Sequence, residues 1–167
     1  MAINKIIPVR SCSHLWPILD IKQRKEVVSD CLKCLAAHKD NFDAIAVSGY
    51  SMSLIGSIIA HKMNKGLIIV RKDEDERASN FEVEGTVCDR YIIIDDLICS
   101  GETLRRITNK ISELHHSPAK LYGVYLYKIN HSSVRTVGSV NDIYETLLLN
   151  TPEQIRKQLI GSQSRPE

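Results

Sequence analysis

Four short apolar blocks, separated by stretches of helical period, constrain this chain more than any other feature. They are Asp43–Ser48 (DAIAVS), Leu67–Val70 (LIIV), Tyr91–Asp95 (YIIID) and Leu121–Tyr127 (LYGVYLY). Each is too short for a buried helix and too continuously apolar for a strand with one wet face. Between them lie Ile21–His38, with Val27, Val28, Cys31, Cys34 and Leu35 on one helical face, then Met52–Met63 and Gly101–His116. Gly56 and Ala60 stand four apart in the second helix, where small residues allow close packing. Strands alternating with helices require crossovers, so the expected fold class is α/β, with a central, mainly parallel sheet flanked by helices.

The remaining punctuation fits that order. Asn64-Lys65-Gly66 reads as the end of the second helix, with glycine supplying a left-handed cap. The segment RKDEDERASNFEVEGTVCD has no sustained period before Phe81 and reads as a charged loop. Beyond Lys128 the pattern loosens until TPEQIRKQLI, which starts like a capped helix with Thr151 before Pro152 and Glu153. A chain of 167 residues is expected to form one domain, 1–167, with its core at about 20–128.

Charge and cysteine content exclude several classes. A net charge of +2 gives no electrostatic footprint for nucleic acid or a membrane surface, so neither is an expected partner. No apolar run approaches the roughly 18 residues of a membrane span, and MAINKIIPVR lacks a signal-peptide core; the expectation is a cytoplasmic protein. The five cysteines are scattered, and Cys31-Leu32-Lys33-Cys34 has no second pair to complete a zinc site, so reduced thiols are expected. The six histidines show no metal-ligand spacing.

The chemistry concentrates at YIIIDDLICSGETL. Asp95 and Asp96 end a buried strand, and the turn behind them leads straight into a helix. In parallel α/β sheets ligands bind outside the carboxyl ends of the strands, and a helix start offers free N–H groups to an anion. Gly101 lets backbone approach that anion, and Ser100 and Thr103 add hydroxyl donors. Two carboxylates would repel a bare phosphate but suit sugar hydroxyls, or a magnesium ion bridging sugar and phosphate. A simple helix cap by Asp96 or Ser100 accounts for one polar residue and leaves the second Asp, the glycine and the other hydroxyl without a purpose.

The segment IIIDDLICSGETL resembles the phosphoribosyl-diphosphate signature of the type I phosphoribosyltransferases, nearer to orotate- and adenine-type members than to 6-oxopurine members. The resemblance implies that Asp95 and Asp96 hold the ribose hydroxyls, directly or through magnesium-bound water, and that Cys99, Ser100, Gly101, Glu102 and Thr103 cradle the 5-phosphate. Glu102 departs from the small residues common there, and its side chain is expected to face solvent. VSGYSMSLIG resembles the family's diphosphate loop, with Ser48, Gly49, Tyr50 and Ser51 at the matching positions. VRKDEDERASNFEVEG resembles the mobile catalytic loop, making Arg71 and Lys72 catalytic candidates beside Asp95 and Asp96, with Arg77 a further cation. Cys99 stands where 6-oxopurine members carry an acid. Lys128 is a candidate for reaching a base carbonyl.

The resemblance further implies a hood from 1–19 and 129–160, Mg2+ as cofactor, phosphoribosyl diphosphate (PRPP) and a nucleobase as substrates, and a homodimer. Transfer of the phosphoribosyl group with release of diphosphate is the expected activity. The other reading is a non-catalytic relative that binds PRPP or a nucleotide as a signal. A dinucleotide-binding unit lacks its G-x-G-x-x-G after the first strand.

Overall fold

The computed structural model describes residues 15–72, 81–86, 88–96, 101–114, 119–128 and 134–136. Ten elements follow one another: α1 (Trp16–Leu19), α2 (Ile21–Ala36), β1 (Ala44–Ser48), α3 (Tyr50–Met63), β2 (Gly66–Val70), β3 (Val83–Gly85), β4 (Arg90–Asp95), α4 (Glu102–Ser112), β5 (Lys120–Leu126) and β6 (Arg135–Thr136). They build one sheet in the order β3-β2-β1-β4-β5-β6. The four inner strands are mutually parallel, and β3 and β6 close the edges in antiparallel sense. No helix among the described residues is long and apolar enough to cross a membrane.

The strands are apolar throughout because both faces are covered. From β1 and β4, Ile45, Val47, Ile92 and Ile94 point to one face, where α1, α2 and α3 contribute Ile18, Cys31, Leu35, Met52, Ile55 and Ile59. Ala44, Ala46, Tyr91 and Ile93 point to the other, under Leu104, Ile107 and Ile111 of α4. The order explains the split. The crossover β1–α3–β2 steps one way across the sheet and β4–α4–β5 the other, so crossovers of the usual right hand put α3 and α4 on opposite faces.

Gly56 does what its spacing predicts: a Cβ there would stand 2.7 Å from Val47 Cγ1, so its absence lets α3 sit close on β1. The cap of α3 differs from expectation. Asn64, not glycine, takes the left-handed conformation (φ 54°, ψ 50°), and Gly66 opens β2, where a Cβ would meet Thr86 at 2.8 Å. The charged loop also hides β3, which pairs with β2 from Val70↔Val83 to Ile68↔Gly85. Three residues ending in glycine carry too little period to read as a strand. The expected C-terminal helix and terminal hood lie mostly outside the described residues.

Candidate active site

The sheet opens where β1 and β4 lie side by side. The ladder between β1 and β2 runs the whole of β1, to Ser48↔Val70. The ladder between β1 and β4 stops at Ala46↔Ile93. Past that point, Val47-Ser48-Gly49 and Ile94-Asp95-Asp96 flank the topological switch point, where connections leave in opposite directions and ligands of open α/β sheets bind.

Asp95 is the buried member of the acidic pair, 8% exposed. Burial holds its carboxyl well above the usual carboxylate range. The amide of Asp96 opposes that shift, the Asp96 carboxylate adds to it, and the Lys72 ammonium pulls it back. The pair is fixed by backbone: the Tyr127 and Lys128 amides donate to the Asp95 and Asp96 carbonyls at 3.1 and 3.0 Å, and the Asp96 amide donates to Asp95 Oδ1 at 2.9 Å. Lys128, read from sequence as a candidate for a base carbonyl, lays its ammonium 2.9 Å from Asp96 Oδ2 instead, with both side chains about three-quarters buried or more.

The two cations after β2 part company. Lys72 lies against Gly49, its Cε 3.3 Å from where a Cβ would stand, and acts on the charge of Asp95. Arg71 turns to the edge hairpin: its Nε and a terminal nitrogen donate to Glu84 Oε2 at 3.0 and 2.6 Å, while its amide donates to the Glu82 carbonyl at 2.9 Å. Lys110 of α4 holds the Glu82 carboxylate at 2.6 Å. The two ends of the sequence-assigned catalytic loop are therefore tied to the sheet and to α4. Residues 73–80, including Arg77, lie outside the described residues.

Both helices that start at this opening begin on glycine with positive φ, Gly49 at 80° and Gly101 at 76°, and neither has a side-chain cap. In α2, by contrast, Asp20 accepts from the Gln23 amide at 2.8 Å. A glycine at the cap position offers no side-chain acceptor to the first-turn amides, an arrangement that suits an anion at a helix start. Tyr50 is exposed, Ser51 and Thr103 are half-buried, and Gly101 is buried. Glu102 points outward, its side chain 73% exposed and 3.6 Å from Arg106, as expected for an acid near an anion site. Cys99 and Ser100 lie outside the described residues.

Two hydroxyls here, Ser48 Oγ and Tyr127 Oη, are buried without a hydrogen-bond partner among the described residues. Tyr127 escaped sequence reasoning, because in YLY it reads as one more apolar residue on the face of Tyr125. Burial pushes its hydroxyl up, and the carboxylates of Asp96 and Asp95 add to the shift. Among the described residues no group of three His, Cys, Asp or Glu side chains could hold a metal by itself. Cys31 sits in the core with its thiol pushed up to about 12 by burial and by Cys34, which keeps it protonated.

No known family model matches the chain. A curated protein, the adenine phosphoribosyltransferase of Marinobacter nauticus, is 30% identical over 93 residues, covering 46% of this chain and 52% of the relative. The solved UMP synthase of Leishmania donovani superposes with a TM-score of 0.51 at 27% identity, over 66% of this chain and 23% of that one. The core has a type I phosphoribosyltransferase fold. The adenine phosphoribosyltransferase of Thermoanaerobacter pseudethanolicus has a TM-score of 0.48 at 20% identity, over 65% and 69% of the two chains. The chain spans about half the length of the curated relative it matches. Within the type I phosphoribosyltransferase fold, this chain gathers the acidic pair, Lys72, two glycine-started helices and two buried hydroxyls at one edge.

Proposed function

We propose that the chain is a phosphoribosyltransferase that moves a 5-phosphoribosyl group between PRPP and a nucleobase, releasing or consuming diphosphate. The observation that carries this reading is the juxtaposition of the acidic pair, Asp95 buried and Asp96 half-buried, with two glycine-started helices at the switch point. An acidic grip beside two anion-accepting helix starts matches a sugar that bears phosphate at both ends.

Each group then has a task. Asp95 and Asp96 orient the ribose hydroxyls. The α4 start, Cys99 to Thr103, takes the 5-phosphate, and Ser48 to Ser51 with Lys72 takes the diphosphate. The donors fit a magnesium ion, which favours one or two carboxylates plus substrate oxygens and retained waters. Asp95 and Asp96 would hold it, and it would neutralise charge on the leaving diphosphate. The C1–oxygen bond to diphosphate breaks as the base nitrogen bonds to C1 and its N–H proton passes to water, through an oxocarbenium-like state stabilised by position and charge rather than by a covalent intermediate. Adenine is the base to try first, given the curated relative's name, with orotate beside it because the IIIDDLICSGETL segment resembles orotate- and adenine-type members.

A panel of nucleobases with PRPP and magnesium, followed by diphosphate release, tests this. Turnover with one base is expected, and the Asp95→Asn, Asp96→Asn double variant should remain folded by circular dichroism while losing at least about a thousandfold in rate. Normal turnover in that variant would remove the site assignment. Tight PRPP binding without turnover on any base would leave the signal-binding reading instead.

A further inference from the structure

A second concave surface lies away from this edge, between α2 and α3. Arg24, Lys25, Val28, Ser29 and Leu32 of α2 and Ile58 and Lys62 of α3 enclose a groove of about 300 Å3. Its floor is apolar and its rim is cationic. The two acids of α2 beyond its cap, Glu26 and Asp30, do not line it, and Asp30 is engaged by Lys33 at 3.3 Å. The Arg24 guanidinium donates to the Ile18 carbonyl at 3.3 Å, which fixes it at the rim. Lys25 and Lys62 are exposed and have no acid within ion-pair distance among the described residues. Three positive charges in a groove lined by no acid are a local concentration in a chain whose net charge is only +2.

The apolar floor also continues beyond the groove. Ile21, one turn before Lys25 on α2, is 42% exposed, and Leu54, one turn before Ile58 on α3, is 48% exposed. From Ile21 to Leu32 the α2 stripe runs about 16 Å at 1.5 Å per residue, some three helical turns. That is longer than a small acidic metabolite needs, and a concave trough between two helices does not suit a flat bilayer. It suits a third helix laid into the trough, with apolar residues at i, i+4 and i+7 and acids on its flanks.

We infer that the α2–α3 groove is a docking surface for an acidic amphipathic helix of a partner protein, with Val28, Leu32 and Ile58 taking its apolar residues and Arg24, Lys25 and Lys62 pairing with its acids. The surface is separate from the proposed catalytic edge and does not depend on the phosphoribosyltransferase reading.

The test uses the full chain and a labelled peptide of about four helical turns with Leu at i, i+4 and i+7 and Glu on the flanks. Fluorescence anisotropy should give saturable binding with a Kd of about 1–100 µM, weakening about tenfold between about 50 and 300 mM salt. A scrambled peptide of the same composition should not bind. The Lys25→Glu, Lys62→Glu variant, altered only at exposed positions, should lose the Glu peptide at least about tenfold and gain a peptide carrying Lys in place of Glu. Equal binding of the scrambled peptide, failure of the charge swap, or no saturation at about 1 mM would overturn the proposal. So would anionic vesicles competing for the same residues, or a dimer in sedimentation that Lys62→Glu dissociates, since the occupant would then be a membrane or a second copy.

Discussion

Asp95 and Asp96 are neighbours in sequence with different surroundings, and their variants should behave differently. With its carboxyl held above the usual range by burial, Asp95 contributes stability that is complete below the ordinary Asp value of about 3.9 and is lost as pH rises through its raised value. Asp95→Asn keeps an acceptor for the Asp96 amide but removes the buried charge. The variant's melting temperature should therefore match that of the parent near pH 4 and exceed it by about 2–4 °C at pH 8 in the absence of ligand, in a calorimetric pH series. Lys128 gives the second prediction. Lys128→Met strips Asp96 of a partner held at 2.9 Å in a largely buried pair, which should cost about 1–3 kcal/mol in urea denaturation. The same change removes a cation that competes for the carboxylate, so Mn2+ titrated by electron paramagnetic resonance should bind more tightly. The pair was legible in sequence from its place between an aliphatic strand and a glycine turn. The partner of Asp96 was not, because Lys128 lies 32 residues away and reaches it only through the β4–β5 register.

At the scale of elements, the fit of α3 on β1 depends on one missing methyl. Gly56→Ala gains helix propensity of about 1 kcal/mol but drives a Cβ to 2.7 Å from Val47 Cγ1. The net expectation is a loss of about 1–2 kcal/mol, largely recovered when Val47→Ala is added. Failure of the second change to rescue the first, by urea denaturation, would mean that α3 is held elsewhere. The helices and inner strands were legible because their apolar residues keep a period. What escaped had none: α1 is four residues long, β3 three, and Asn64 took a cap role that glycine usually fills.

For the molecule as a whole, one sheet separates two apolar layers, and changes in different layers should not feel each other. Ile59→Val in α3 and Ile107→Val in α4 should each cost about 1 kcal/mol, and the double variant their sum within about 0.5 kcal/mol. A larger departure in chemical denaturation would mean that the layers communicate through the sheet. The sequence by itself determined the alternation of buried strands and helices, the acidic pair at a strand end and the glycine-started helix behind it, because period, charge and backbone freedom are local properties. Only the tertiary structure decided which strands are neighbours. That choice set β1 beside β4 and opened the switch point, brought Lys72 against Gly49 while sending Arg71 to Glu84, and left Ser48 and Tyr127 with buried hydroxyls at the site's edge. These are contacts between residues far apart in the chain, and no local pattern encodes which of two adjacent cations will turn inward.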